Sequence, residues 1–345
     1  MMIRKLLVLG AGFSRPIGIP TMPHCYEELK KIAFETHEWN FNEGPVHESV
    51  VAESILKRWF NTGLDIEGFG ERLLQNSNTV PGRRLLAQFS AVLIRGFELA
   101  MQHRGSDEIR RLWNSFYLPF VQAVIATGHT AFVTFNYDLL LDQALLQQGY
   151  CPDYCLTSNV RHVNESDNVG TPIKLLRPNG SMNWFVCDDE ACDVLTVKWQ
   201  RDGRSTEKYP GNWGTGPERH RHHLPQPDVE TLLRFLIVPP GMKTRLPQPH
   251  VETVYAEVER LAETVESIFF IGWSAPDTDQ QWAARVFRTR GAEVFVINRD
   301  DRAELLRRYA AVLHPECKVR LYTGDSGDVR SYNQADCEWG KRLLS

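Results

Sequence analysis

Residues Gly10–Met22 read GAGFSRPIGIPTM and follow the run Lys5–Leu9, KLLVL. A short apolar run that stops at a glycine is the pattern of a strand buried on both faces of a parallel sheet. The turn and the residues after it then read as strand, turn, helix. Gly10–Ala11–Gly12 serves such a turn in one of two ways. It brings backbone N–H groups and a helix N-terminus against a phosphate, or it is a tight turn that needs positive φ. A dehydrogenase fingerprint would carry a third glycine where Arg15 stands, and a second strand ending in an acidic residue ~20 positions on. Glu27 and Glu28 stand at about that distance, but in a helical pattern. No Gly-Lys-Ser/Thr follows the turn, so the P-loop pattern is absent. The turn argues against both an ordinary dehydrogenase and a P-loop nucleotide hydrolase.

The rest of the chain bounds the setting. It has 345 residues, with 39 basic and 43 acidic side chains, for a formal charge of −4. That balance argues against nucleic-acid binding driven by a basic surface. Apolar residues are 42% and charged residues 24%, which is a globular composition rather than a disordered one. Seven scattered cysteines do not make a disulfide scaffold, and the odd count fits a reducing compartment. No apolar run approaches the ~18 residues of a membrane span. The start, MMIRKLLVLGAGF, lacks a small-residue cleavage site before Ser14 and Arg15, so it reads as a buried strand rather than a signal peptide. The expected location is the cytoplasm, with no membrane association.

Further runs repeat the strand pattern. Ala131–Phe135 ends at Asn136, Ile173–Leu176 near Asn179 and Gly180, and Phe235–Val238 at Pro239–Pro240–Gly241. Ser267–Ile271 ends at Gly272, Glu293–Ile297 at Asn298, and Lys318–Tyr322 is a last strand. All are expected as buried parallel strands. Between them, Val251, Val254, Tyr255, Val258, Leu261, Ala262 and Val265 recur at helical spacing, as do Leu85, Phe89, Val92, Leu93 and Phe97. Ser106–Asp107–Glu108 starts another helix. The stretch from Pro23 to Gly128 shows no second strand. Gln148 to about Asp228 reads as irregular, broken only by Ile173–Asn183.

Four further segments sit at strand ends in a fixed order: Thr134–Phe–Asn–Tyr–Asp138, Asn179–Gly–Ser–Met–Asn–Trp184, Gly272–Trp–Ser274 with Ala275–Pro–Asp–Thr–Asp279, and Ile297–Asn298. With the glycine turn they resemble the sirtuin-like (silent information regulator type) NAD-binding family. The Asn136–Tyr137–Asp138 form and the Asp277–Thr278–Asp279 run resemble its bacterial antiviral-defence branch rather than the protein-deacylating one. The resemblance spans Leu6 to about Asp300.

The resemblance implies an α/β fold: a Rossmann-like parallel sheet flanked by helices, with an inserted, largely helical smaller module. On that basis residues 1–22, 129–147, 172–184 and 232–325 form a discontinuous NAD-binding domain. Residues 23–128 are a helical insertion, 148–171 and 185–231 an irregular one, and 326–345 a C-terminal tail. The implied activity is NAD+ glycohydrolysis, with NAD as substrate and nicotinamide and ADP-ribose as products, in antiphage defence by NAD depletion. Gly10, Ala11, Gly12 and Ser14 would line the pyrophosphate, with Phe13, Gly18, Pro20 and Gly272 in the same NAD-binding set. Ser274 and Asn298 would meet a phosphate or the adenosine ribose. Asn136 would orient the ribose and attacking water, and Asp138 would support the loop or the nicotinamide end. Gating by a homo-oligomer, or by a partner or activator protein such as a phage component or an ATPase, follows from the toxicity of unchecked activity.

Asn179 departs from the family, which has a histidine there. An amide accepts and donates hydrogen bonds but does not take a proton, and general-base help is worth ~10²–10⁴ in rate. His24 and His162 are candidate substitutes, each also readable as an ordinary surface histidine. The alternative function is therefore a catalytically weak or silent NAD or ADP-ribose sensor, and a protein deacylase ranks below both. Cys151–Cys155 and Cys187–Cys192 are too loosely spaced for the zinc ribbon of deacylating sirtuins, so no metal is expected. His220, His222 and His223 read as a solvated loop. Trp184 and Trp273 read either as walls of the nicotinamide pocket or as packing.

Overall fold

A computed structural model describes residues 2–17, 47–64, 66–75, 85, 89, 106–156, 160–163, 170–187, 195–198, 233–237, 249–287 and 291–345. Its strands are β1 (Lys5–Leu9), β2 (Thr130–Thr134), β3 (Tyr150–Asp153), β4 (Val160–Val163), β5 (Thr171–Leu176) and β6 (Gly180–Cys187). They continue as β7 (Leu195–Lys198), β8 (Leu233–Ile237), β9 (Ser267–Ile271), β10 (Glu293–Ile297) and β11 (Lys318–Tyr322). Seven of them form one sheet in the order β11-β10-β9-β1-β2-β5-β3, with every pairing parallel. Helices flank it, so the fold is α/β and Rossmann-like.

The apolar runs are continuous because the central strands are covered on both sides. Leu6, Leu7, Val8 and Leu9 are fully buried, as are Ile268 to Ile271. Helix Pro249–Thr264 turns Val254, Val258, Leu261 and Ala262 inward, as their helical spacing requires. Register then fixes the site. Leu9 pairs with Thr134 on one side and Ile271 on the other, and Ile271 pairs with Ile297. The four strands therefore end in one line, and the segments after them emerge side by side. Strand order reverses between β1 and β9, which is where open α/β sheets place their ligands.

Two expectations are corrected. The run expected as a parallel strand at Phe235–Val238 is β8, which pairs antiparallel with β6 in a second, four-stranded sheet of order β4-β7-β6-β8. A short apolar run suits either sheet, so composition could not choose between them. The stretch from Gln148 to about Asp228, expected to be irregular outside Ile173–Asn183, contains β3, β4 and β7. Their four-residue lengths, with Pro152, Arg161 and His162 inside, hide them from a periodicity test. Of the stripe at Leu85–Phe97, Val92, Leu93 and Phe97 lie outside the described residues. Among the described residues no helix is long and apolar enough to cross a membrane.

The turns after β1 and β9 meet backbone to backbone. A Cβ on Gly10 would lie 2.4 Å from Trp273 Cα, and one on Gly12 would lie 2.9 Å from Gly272 Cα. Gly272 has φ +64° and faces Phe13 N and Gly12. The N–H groups of Gly10 and Gly12 donate to Ile271 O at 3.0 Å and Gly272 O at 2.9 Å. Glycine stands at 10 and 12 because the neighbouring chain occupies the side-chain space. Gly10 has φ −105°, so Gly10→Ala adds a clash without backbone strain. It should lower stability by roughly 1–3 kcal/mol, read as a lower urea midpoint at unchanged m-value. An unchanged midpoint would show that the two turns do not pack this way.

Candidate functional site

The ends of β1, β2 and β5 converge on a buried polar cluster. Ser14, Asn136, Asp138, Asp142, Arg177 and Asn179 are all buried, with Arg177 at 0% exposure. Burial of that many polar groups is tolerated only where most are bonded, and here most are. Asn136 Nδ2 donates to Gly10 O at 3.1 Å and to Ser14 Oγ at 2.9 Å. Asn179 Nδ2 donates to Phe135 O at 3.1 Å. The acceptors identify the nitrogen end of each amide, so both Oδ1 atoms are what remains. Neither has a partner among the described residues, and nor does Asp138 Oδ2.

Arg177 holds the cluster's shape. Its guanidinium donates to Asn136 O at 2.8 Å and to Asp138 O at 2.9 Å, and it forms a buried ion pair with Asp142. Tyr154 donates its hydroxyl to the other oxygen of Asp142 and lies edge-on to Trp184, centroids 5.2 Å apart. Burial works against the Arg177 charge, but Asp142, Tyr154 and Asp138 outweigh it and raise the pKa.

Asp138 has no such ion pair. Its Oδ1 accepts from Leu140 N at 3.0 Å, starting helix Leu140–Gln147. Burial pushes its pKa above the ordinary value, against the pull of Arg177, the Leu140 N–H and the Ser14 hydroxyl. Tyr117 reaches the same place from the helical run Ser106 to Ala126, which a π-helical turn, Trp113–Tyr117, interrupts. Such turns re-aim side chains and often mark functional sites. Phe13 packs on Tyr117 at 4.8 Å and on Phe120 at 5.2 Å. The Tyr117 phenol, close to Ser14, is pushed well up by burial and by the Asp138 and Asp142 charges.

The other expected residues lie along the same edge. Gly10, Ala11, Gly12, Phe13 and Ser14 form the turn and short helix after β1. Gly272 and Ser274 follow β9, and Ser274 O accepts from Arg308 at 3.4 Å. Asn298, after β10, donates Nδ2 to Trp273 O at 3.2 Å and accepts from Asp300 N at 3.1 Å. These residues flank the reversal point, to one side of the Asn136–Asp138–Asn179 group. Gly18, Pro20 and His24 lie outside the described residues, and so does the His162 side chain. Trp273 is a packing residue, stacked on Phe135 at 5.1 Å and donating to the buried Asp279 carboxylate at 3.2 Å.

Sequence reasoning missed Arg177, Asp142, Tyr117 and Tyr154. An arginine closing the apolar run Leu175–Leu176 was the one available signal. Among the described residues no group of three His, Cys, Asp or Glu could hold a metal. Cys155 Sγ accepts from Lys174 Nζ at 3.0 Å, while the Cys187 side chain and Cys192 lie outside the described residues.

No family model matches the chain, and no curated protein matches it. Solved structures similar to it include a Sir2 homologue in complex with NAD, 17% identical, covering 99% of this chain and 91% of that chain, with TM-score 0.48. Another is Sir2Tm bound to a propionylated peptide, 12% identical, covering 99% and 92%, with TM-score 0.40. A third is a histidine-to-asparagine mutant of a Sir2 homologue with ADP-ribose, 15% identical, covering 98% and 91%, with TM-score 0.41.

Two outcomes follow from the cluster. Arg177→Met leaves Asp142 buried without its ion-pair partner and should cost about 3–5 kcal/mol in urea unfolding; a loss below ~1 kcal/mol would show the pair is not buried as described. Asp138 acts in the opposite sense. A raised folded pKa leaves no penalty below the unfolded value, and the penalty grows as pH rises through the folded one. Asp138→Asn should therefore be more stable than the parent at pH 7, with the difference closing in acid. Equal midpoints at both pH values would contradict the shift.

Proposed function

We propose that the chain is a sirtuin-like NAD+ glycohydrolase that cleaves the nicotinamide–ribose bond to give nicotinamide and ADP-ribose. One observation carries this reading. Asn136 and Asn179 are tethered through their nitrogens, and their Oδ1 atoms lie buried and unpartnered on segments adjoining an unpartnered Asp138 oxygen. Buried acceptors without donors cost about 1–3 kcal/mol each. A ligand that supplies hydroxyl and amide N–H donors together with positive charge relieves that cost. The nicotinamide riboside half of NAD has all three: ribose hydroxyls, a carboxamide and a cationic ring.

The chemistry asks little of an acid. The leaving pyridine is already positively charged, so the ring departs with the bonding pair as its nitrogen becomes neutral. Acceptor dipoles held in a water-poor site favour the positive charge that develops on the ribose. Asn136 and Asn179 would orient the ribose and the attacking water. Gly10, Ala11, Gly12, Phe13, Ser14, Gly18, Pro20, Gly272, Ser274 and Asn298 would hold the rest of the dinucleotide. The discontinuous organisation, with one domain interrupted by two insertions, belongs to the same proposal. NAD depletion during phage infection is the cellular role favoured by the Asn136–Tyr137–Asp138 form, with cytoplasmic location and control by self-association or a partner protein.

A second reading has its own support. Asn179 does not take a proton, so a sensor that holds NAD or ADP-ribose without turnover fits the same acceptors. Incubating purified protein with NAD, alone and with infected-cell lysate, separates the two. The expected result is nicotinamide release, lowered about 10–100-fold in Asn136→Ala. Tight binding with no release under either condition would leave the sensor.

A further inference from the structure

We propose that Asp138 is the proton acceptor for the attacking water, with Ser14 and Tyr117 as its positioning residues; this rests on the glycohydrolase reading above.

The argument begins with the titratable groups that face the cluster. Both oxygens of Asp142 are engaged, one by Arg177 and one by Tyr154. Tyr154 spends its proton on Asp142, and the buried Tyr117 phenol stays neutral near pH 7. Asn136 and Asn179 are amides. The histidines whose side chains are described lie elsewhere: His129, bonded to Met2 O, precedes β2 at the far end of the sheet, and His314 follows helix Arg302–Val312. Among the described groups Asp138 remains, with one oxygen fixed by the Leu140 N–H and the other without a partner.

Charge balance supports the assignment. Arg177 and Asp142 cancel, so among the described residues an ionised Asp138 is an uncompensated negative charge in a buried site. Burial without a counter-ion favours the protonated form of such a group, and a nearby cation favours the ionised one. The pyridinium of bound NAD is such a cation, so binding should shift Asp138 towards its ionised form, the base beside the ring. In the step itself the water oxygen bonds to the ribose anomeric carbon, and the carbon–nitrogen bond breaks with its pair going to nicotinamide. The water proton passes to Asp138 Oδ2 and then to solvent. The sum is NAD+ and water giving nicotinamide, ADP-ribose and a proton.

Ser14 accepts from Asn136 and faces both the Asp138 carboxyl and the Tyr117 hydroxyl. It couples the base to the amide that orients the water. Tyr117 thereby brings the helical insertion into the reaction through the π-helical turn.

The test uses the full chain. Nicotinamide release is followed from pH 4 to 9, and proton release on binding is followed by calorimetry in two buffers of different ionisation enthalpy. The parent should show an acid limb, with rate falling as pH drops through a midpoint above the ordinary carboxylate value of about 3.9. At a pH near that midpoint it should release protons on binding a non-hydrolysable carbocyclic NAD analogue, which keeps the pyridinium, but not on binding ADP-ribose, which lacks the ring. Asp138→Asn should bind NAD, lose the acid limb and the proton release, and react ~10²–10⁴-fold more slowly. Tyr117→Phe, which removes one hydroxyl, should move the acid limb without removing it; a limb left in place at reduced rate would make Tyr117 merely structural. Asp138→Asn with the parental rate and limb would overturn the base while leaving the glycohydrolase standing. A parent that releases no nicotinamide would overturn both.

Discussion

The buried polar cluster at the carboxyl edge of the sheet depends on one buried guanidinium. Arg177 closes β5 and donates to the carbonyls of Asn136 and Asp138 while pairing with Asp142. Without it, two main-chain carbonyls would lose this donor, and the buried Asp142 carboxylate would keep only the Tyr154 hydroxyl. Desolvating such a pair costs several kcal/mol per ion, offset here by three acceptors on Arg177, although its Nε has no partner among the described residues. The fork geometry of arginine suits this task, because one planar group reaches a carboxylate and two carbonyls in fixed directions. The segment after β2 is thus shaped by β5, and the positions of Asn136 and Asp138 follow from that.

The opposite half of the edge is held differently. Gly10, Gly12 and Gly272 let two turns touch through their backbones, and the Phe135–Trp273 stack ties the β2 and β9 ends together. Rigid surroundings explain how unpartnered acceptors persist at Asn136, Asp138 and Asn179. Each could relieve its cost by rotating towards a donor, but each is fixed by a bond at its other end. The cluster is less stable than it could be, and that deficit is what the proposed ligand would relieve.

Much of this was legible in the sequence, for physical reasons. β1, β9 and β10 stand out because strands covered on both faces become uninterrupted apolar runs, and the residues after them reach the carboxyl edge by register alone. β8 was misplaced because an equally apolar run serves an antiparallel sheet. Arg177, Asp142, Tyr154 and Tyr117 could not be found by spacing, since they lie on separate elements and meet only in the fold. Tyr117 depends further on a π-helical turn, which no helical periodicity announces. That an asparagine at 179 does not take a proton is plain from the sequence, but the charge arithmetic behind the Asp138 proposal needs the Arg177–Asp142 pair in place.

The position of β1 also bears on how the chain is made. Its two neighbours in the sheet are β2 and β9, whose first residues lie about 125 and 260 positions further along. At ~5–20 residues per second, the fully apolar segment Leu6–Leu9 leaves the ribosome on the order of ten seconds before its first partner and tens of seconds before its second. During that interval it is an unpaired strand of the kind that adheres to other chains. The strand at the centre of the finished sheet is therefore the nascent chain's most exposed liability. Shielding of this segment during synthesis should bear on how much folded protein a cell obtains.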